Sequence, residues 1–276
     1  MFNNAPIGVF DSGYGGLTVL TEIKKRLPQY DYIYLGDNAR APYGNRSFDV
    51  VYNFTLEAVN FLFNKGCPLV IIACNTASAK ALRSIQQNDL PIIGPTKRVL
   101  GVIRPSTEEI GSLTKTKHVG VLGTSGTVQS QSYVIELQKF APDIQVTQHA
   151  CPMWVPLIEN DKHNSPAGKM FIKEDIDALM QKDPKIDTLI LACTHYPVIK
   201  NQIEKTIGPN INVIAQGPIV AEKLVDYLSR HEEMEKSLSK NATMHYFTTE
   251  NSLVFNQTAS QFLDDVVVSE HVEIAI

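Results

Sequence analysis

Residues 69–79 read LVIIACNTASA. Leu69, Val70, Ile71, Ile72 and Ala73 make a short run that is apolar on both faces, the mark of a parallel strand covered by helices on each side. Cys74 stands where that strand ends. Asn75 and Thr76 follow as good helix N-caps, and a helix begins over residues 77–82. Open α/β sheets bind ligands beyond the carboxyl ends of their strands, so the Cys74 thiol is expected to face such a crevice.

The chain repeats the device. Residues 188–192 (TLILA) read as another buried strand, ended by Cys193, Thr194 and His195, with a helix running on from Tyr196. A second pair matches residues 7–13 (IGVFDSG) with residues 119–126 (VGVLGTSG) at nearly the same offset. Two similar offsets point to two related halves, each with one thiol at a strand end. The expected fold is α/β. It has two similar open, mainly parallel-sheet domains related by pseudo-twofold symmetry, with the active site in the cleft between them. Residues 1–98 and 211–276 make the first domain, carrying Asp11 and Cys74, because a late strand at 245–248 and a helix at 252–263 return to it. Residues 99–210 make the second, carrying Cys193 and His195. No flexible linker separates the halves, so they should share a large interface.

Composition narrows the function. The 276 residues leave room for about two domains. A net charge of -4 without any basic run argues against nucleic acid and anionic membranes as partners. No apolar segment reaches the roughly 20 residues of a membrane span. The opening MFNNAPIGVF runs directly into a strand and does not read as a signal peptide, so the cytoplasm is the expected compartment. The four cysteines, Cys67, Cys74, Cys151 and Cys193, include no C-x-x-C pair. Neither a structural zinc site nor a disulfide framework is expected, and no metal. Cys67 and Cys151 read as buried fillers, and Trp154 as core.

Locally, Asp11-Ser12-Gly13-Tyr14-Gly15-Gly16 is a turn from a first strand at 7–10 into a helix at 17–27. Its glycines allow tight turning and close approach of an anion. The dinucleotide fingerprint fails, since Thr18 takes the third glycine position and the P-loop lysine is missing. After a second strand at 32–35, the loop at 36–45 offers Asp37, Arg40 and Tyr43. Ser47 caps a long amphipathic helix that Gly66 stops. Residues 91–94 (PIIG) read as another short strand, and 211–215 as a later one.

Two thiols on opposite sides of one tetrahedral carbon make a two-base device. One, as thiolate, removes a proton from one face, while the other, as thiol, delivers one to the opposite face, and the centre inverts. Each thiol needs a neighbour that sets its protonation. Asp11 is placed to serve Cys74, and His195 to serve Cys193. The second half has Gly123-Thr124 where the first has Asp11-Ser12, so the two bases have different partners.

These residues resemble the glutamate racemase family. The D-S-G-x-G-G turn (Asp11 to Gly16), the P-Y-G loop (Pro42 to Gly44), A-C-N-T-A-S-A (Ala73 to Ala79) and C-T-H-Y-P (Cys193 to Pro197) match its motifs in order and spacing across both halves. The resemblance implies a cofactor-independent enzyme that interconverts L- and D-glutamate for bacterial peptidoglycan, with Cys74 and Cys193 exchanging the Cα proton. By position Asp11, Ser12, Tyr43, Gly44, Asn75, Thr76, Thr194 and His195 line the substrate, and Glu159 matches a family carboxylate near the site. The chain departs from the family pattern at Ala192, where Gly is frequent, at Gln216-Gly217, where Asp-Ser-Gly is frequent, and at Arg104, where Glu is frequent. The competing readings are a racemase of the same superfamily acting on aspartate or a hydantoin, and a non-catalytic module that keeps only the cleft. The expected partner is a small molecule. A homodimer is left open.

Overall fold

The computed structural model describes residues 4–263 and 265–274. The ends of the expected first domain, residues 1–3 and 275–276, lie outside them. The strands are β1 (Ile7–Asp11), β2 (Tyr32–Gly36), β3 (Leu69–Ile72), β4 (Arg98–Gly101), β5 (His118–Gly123), β6 (Gln145–Ala150), β7 (Thr188–Ala192), β8 (Asn212–Ala215), β9 (Met244–Thr248) and β10 (Ser269–His271). They form one six-stranded sheet, β10-β9-β2-β1-β3-β4, and one four-stranded sheet, β6-β5-β7-β8. Every pairing is parallel. Strands β1 to β4 therefore repeat in β5 to β8 with the same neighbours, as two related halves require. Strands β1, β3 and β7 are buried along their whole length, which explains their continuous apolar runs.

The helices used below are α1 (Gly16–Arg26), α2 (Phe48–Asn64), α3 (Asn75–Lys80), α4 (Ile103–Leu113), α5 (Ser125–Gln129), α6 (Ser132–Phe140), α7 (Trp154–Glu159), α8 (Pro166–Lys182), α9 (Gln216–Arg230) and α10 (Ser252–Leu263). Among the described residues none is long and apolar enough to cross a membrane. Ser47 caps α2 by accepting the Val50 N–H, and Gly66 beyond it takes a positive φ.

Two helices sit on the opposite half from the strand they follow. Helix α4 leaves β4 of the first sheet, yet buries Ile103 and Ile110 against Val119, Val121, Tyr133 and Leu137 of the second half. Helix α9 leaves β8 of the second sheet, yet buries Val220, Ala221, Leu224 and Leu228 against Leu17, Leu20 and Ile23 of α1. The chain crosses between halves at Val102 and again at Ala215. This changes the expected boundaries at 98/99 and 210/211. Strand β4 pairs with β3, and β8 pairs with β7, so the first boundary falls after β4 rather than within it and the second after β8 rather than before it. The apolar periodicity of a crossing helix shows that it packs, but does not say on which half.

The expected strand at 91–94 is helical instead. Pro91 lies in Leu90–Ile93, which continues a π-helical turn at Ile85–Asp89, and Ile92 is 85% exposed. The strand of that region is β4, a few residues later.

Candidate active site

The turns after β1, β3, β5 and β7 meet one another. The Thr194 hydroxyl donates to Asp11 Oδ2 at 3.3 Å, and Thr18 Oγ1 donates to the Thr194 carbonyl at 2.9 Å. Thr76 and Thr124 share a hydrogen bond of 2.9 Å, and Thr76 reaches Thr127 at 3.3 Å. The Gly126 N–H donates to the Gly44 carbonyl at 2.6 Å. Gly15 is where the approach is closest. A Cβ there would lie 2.3 Å from Thr194 Oγ1 and 2.5 Å from His195 Nδ1. Gly44 is held to glycine in the same way, by Thr124.

Cys74 follows β3 and is 5% exposed. It caps α3 itself, its Sγ accepting the Ala77 N–H at 3.4 Å. The expected caps, Asn75 and Thr76, are the first helical residues, and their side chains turn to other partners. Ser12 Oγ lies 3.3 Å from Cys74 Sγ and shares a hydrogen bond with it. Burial raises the Cys74 thiol to about 12, and the negative charges of Asp11 and Cys193 act in the same sense. The Ser12 hydroxyl and the Ala77 N–H oppose them.

Asp11 is fully buried at the end of β1. Its oxygens accept from the Gly13 N–H at 2.9 Å and from Thr194. Its expected service to Cys74 is therefore through charge, while Ser12 makes the contact. Burial lifts the Asp11 carboxyl above its ordinary value, against the positive charge of His195, the N–H groups of Gly13 and Gly16 and the Thr194 hydroxyl.

Cys193 follows β7 and is 6% exposed. His195 Nδ1 lies 3.9 Å from Cys193 Sγ, and Nε2 lies 2.8 Å from Glu159 Oε1 at the end of α7. Burial opposes charge on His195, but its hydrogen bonds to Cys193 and Glu159, with the charges of both, raise it to about 10. The imidazole is thus a cation at neutral pH, clamped between a sulfur and a carboxylate. Trp154, at the start of α7, is fully buried and packs on Tyr196 with ring centroids 4.8 Å apart, which fixes α7 against the turn that holds His195.

Tyr43 is buried and donates its hydroxyl to Asp37, which also accepts from Arg40 and from Thr249 Oγ1 at 2.8 Å. Burial and the Asp37 charge push the phenol far up, so it stays neutral. The Asn75 side chain is engaged by Gln216 and Tyr133, leaving its main chain for the cleft. Thr124, Thr127, Tyr133 and Gln216 were not among the expected site residues. The repeat of the Asp11-Ser12 turn as Gly123-Thr124 pointed to the turn that holds the first two, and nothing local pointed to Tyr133. Cys67 and Cys151 are buried, as read. A cavity of about 890 Å³ lies elsewhere, where α4, α6 and α9 meet around Arg104, Lys139 and Lys223.

A family model, Asp/Glu/Hydantoin racemase, matches residues 15–224. The chain belongs to that family. Among curated relatives, the glutamate racemase of Streptococcus equi is 38% identical over 98% of this chain and 99% of its own. In three dimensions, the racemase fold is shared with a glutamate racemase isoform from Bacillus anthracis, with a TM-score of 0.89 and 35% identity over 98% of both chains. A glutamate racemase from Francisella tularensis, solved with D-glutamate, gives a TM-score of 0.86 and 32% identity over 98% of both chains. The aspartate racemase of Picrophilus torridus is more distant, with a TM-score of 0.55 and 21% identity, and shares the fold alone.

Proposed function

We propose that this family member interconverts L- and D-glutamate by a two-base exchange of the Cα proton between Cys74 and Cys193. The chain is an isomerase, and its glutamate racemase relatives at 35–39% identity favour glutamate over aspartate or a hydantoin. The observation that carries the mechanism is the placement of one buried cysteine after β3 and the other after β7. These are equivalent strands of like-ordered sheets; the turn after β7 bonds to Asp11 at the end of β1, and Ser12, next to Asp11, bonds to Cys74 after β3.

In this reading the thiolate at one cysteine takes the Cα proton, and the thiol at the other returns a proton to the opposite face. This reading assigns both proton transfers to cysteine side chains and routes neither through a cofactor. His195, held cationic by Glu159, is the counter-charge for a thiolate at Cys193. Burial and the neighbouring Asp11 charge keep Cys74 as the thiol, against the pull of the Ser12 hydroxyl. N–H groups and hydroxyls of Ser12, Gly44, Asn75, Thr76 and Thr194 hold the substrate's charged groups, and drying of the closed cleft sharpens each interaction. D-glutamate made this way, in a bacterial cytoplasm, serves peptidoglycan synthesis.

The test is Cys74→Ala and Cys193→Ala. Each should lose racemisation by at least about 1000-fold while circular dichroism stays that of the parent. Cα-deuterium uptake from heavy water by the parent separates catalysis from mere binding. Substantial racemisation by either variant, or equal turnover of aspartate by the parent, overturns the proposal.

A further inference from the structure

Gln216 opens α9 at the second crossing between halves. Its Nε2 donates to Tyr133 OH at 2.7 Å and Ser106 Oγ at 2.8 Å, with the Val102 carbonyl at 3.2 Å. Its Oε1 accepts from Asn75 Nδ2 at 2.8 Å, and Tyr133 OH donates to Asn75 Oδ1 at 2.6 Å. The three side chains close a ring in which every hydrogen bond runs in the same sense, so each polarises the next. All three are buried: Gln216 4%, Asn75 3% and Tyr133 0% exposed.

The membership of this ring is what matters. Val102 and Ala215 are the places where the backbone passes from one half to the other, and Gln216 ties one to the other directly. Tyr133 belongs to the second half. Asn75 belongs to the first and is the residue after Cys74. An apolar filler of the same size would serve stability as well as a buried amide does. Directional bonds add a single fixed arrangement.

We propose that Gln216 is a positioning residue for racemisation. It pins the two chain crossings to each other and to Asn75, and so sets the half that carries Cys74 against the half that carries Cys193. The proposal rests on the two-cysteine reading of the site.

Gln216→Met keeps the length of the side chain and removes its polarity. Tyr133→Phe removes one hydroxyl and opens the same ring. In the full-length protein, kcat and KM are measured in both directions, scaled to folded enzyme, beside thermal midpoints. Positioning predicts a fall in kcat of about 10-fold or more for Gln216→Met and about 3-fold or more for Tyr133→Phe, with KM within about 3-fold of the parent. The double variant should be no slower than Gln216→Met alone, since one ring cannot be opened twice. If both variants keep kcat within about 2-fold while only the midpoint falls, or if KM alone rises, the proposal is wrong. Should Gln216→Met fail to fold, Tyr133→Phe decides on the same criterion. Failure of the two-cysteine reading shows separately, as turnover surviving in the cysteine variants.

Discussion

Replacing Glu159 by Gln removes one negative charge from the far side of His195 and keeps the length of the side chain. The bond it alters spans 2.8 Å, between an imidazole 7% exposed and a carboxylate 30% exposed. A charge-assisted hydrogen bond contributes about 1.5–3 kcal/mol, and the partial exposure of Glu159 places this one near the lower end. At about 1.4 kcal/mol per pH unit, His195 should drop by about one unit from its value of about 10. The bond to Cys193 remains. Because folding raises the His195 pKa above its ordinary 6.5, its contribution to stability is complete below that value and is lost as pH rises through about 10. In the variant the loss starts at the same pH and is complete about one unit sooner. Parent and variant should therefore differ by about 1.4 kcal/mol in mildly acidic and neutral solution and converge in alkali. Imidazole NMR of labelled protein reads the first quantity, and denaturant melts across pH read the second. An unchanged His195 titration, or a stability gap that persists above pH about 10, would show that Glu159 does not hold this proton.

Two further predictions test the closure of the cleft and the Asp11 charge. Gly15→Ala puts a methyl 2.3 Å from Thr194 Oγ1, so it should lower kcat by about 100-fold through misplacement across the cleft. Retention of parental kcat would mean that the halves need not meet there. Asp11→Asn removes a charge that raises the Cys74 thiol. Iodoacetamide should then label Cys74 several-fold faster at a given pH, by up to about 10-fold, and an unchanged rate, read by peptide mass spectrometry, would refute the charge effect.

Much of this site was written in short runs of sequence. Continuous apolar stretches placed β3 and β7, and the residues that end them are Cys74 and Cys193. The motif residues at the strand ends came together because all the strands run parallel, which brings the carboxyl ends of one sheet to a common edge. Other features depend on distance in space rather than along the chain. Asn75 is a good cap by composition, but Cys74 took the cap, because its sulfur reaches the Ala77 N–H and Asn75 finds stronger partners in Gln216 and Tyr133. Helices α4 and α9 are amphipathic in sequence, yet only packing decides which half receives them. The misplaced strand at 91–94 arose from reading Pro-Ile-Ile-Gly as extended, when Pro91 continues the π-helical turn of Ile85–Asp89.

The two halves share a strand order but not an environment, and the chemistry proposed here needs both facts. Like order sets the two sulfurs at equivalent strand ends, as the proposed exchange requires. Identical surroundings would put both in the same protonation state, either two thiolates with no acid or two thiols with no base. The repeat breaks at the residues that set charge. Asp11-Ser12 in the first half stands where Gly123-Thr124 stands in the second, and the cation His195 lies two residues after Cys193 where Thr76 lies two after Cys74. The first half thus holds a thiol against a hydroxyl and a carboxyl. The second sets a sulfur against an imidazolium backed by Glu159. In the proposed exchange, a proton taken at Cys193 would have the His195 cation beside it, whereas one taken at Cys74 would require that thiol to give up its own proton in a buried site. The two directions should therefore respond differently to pH.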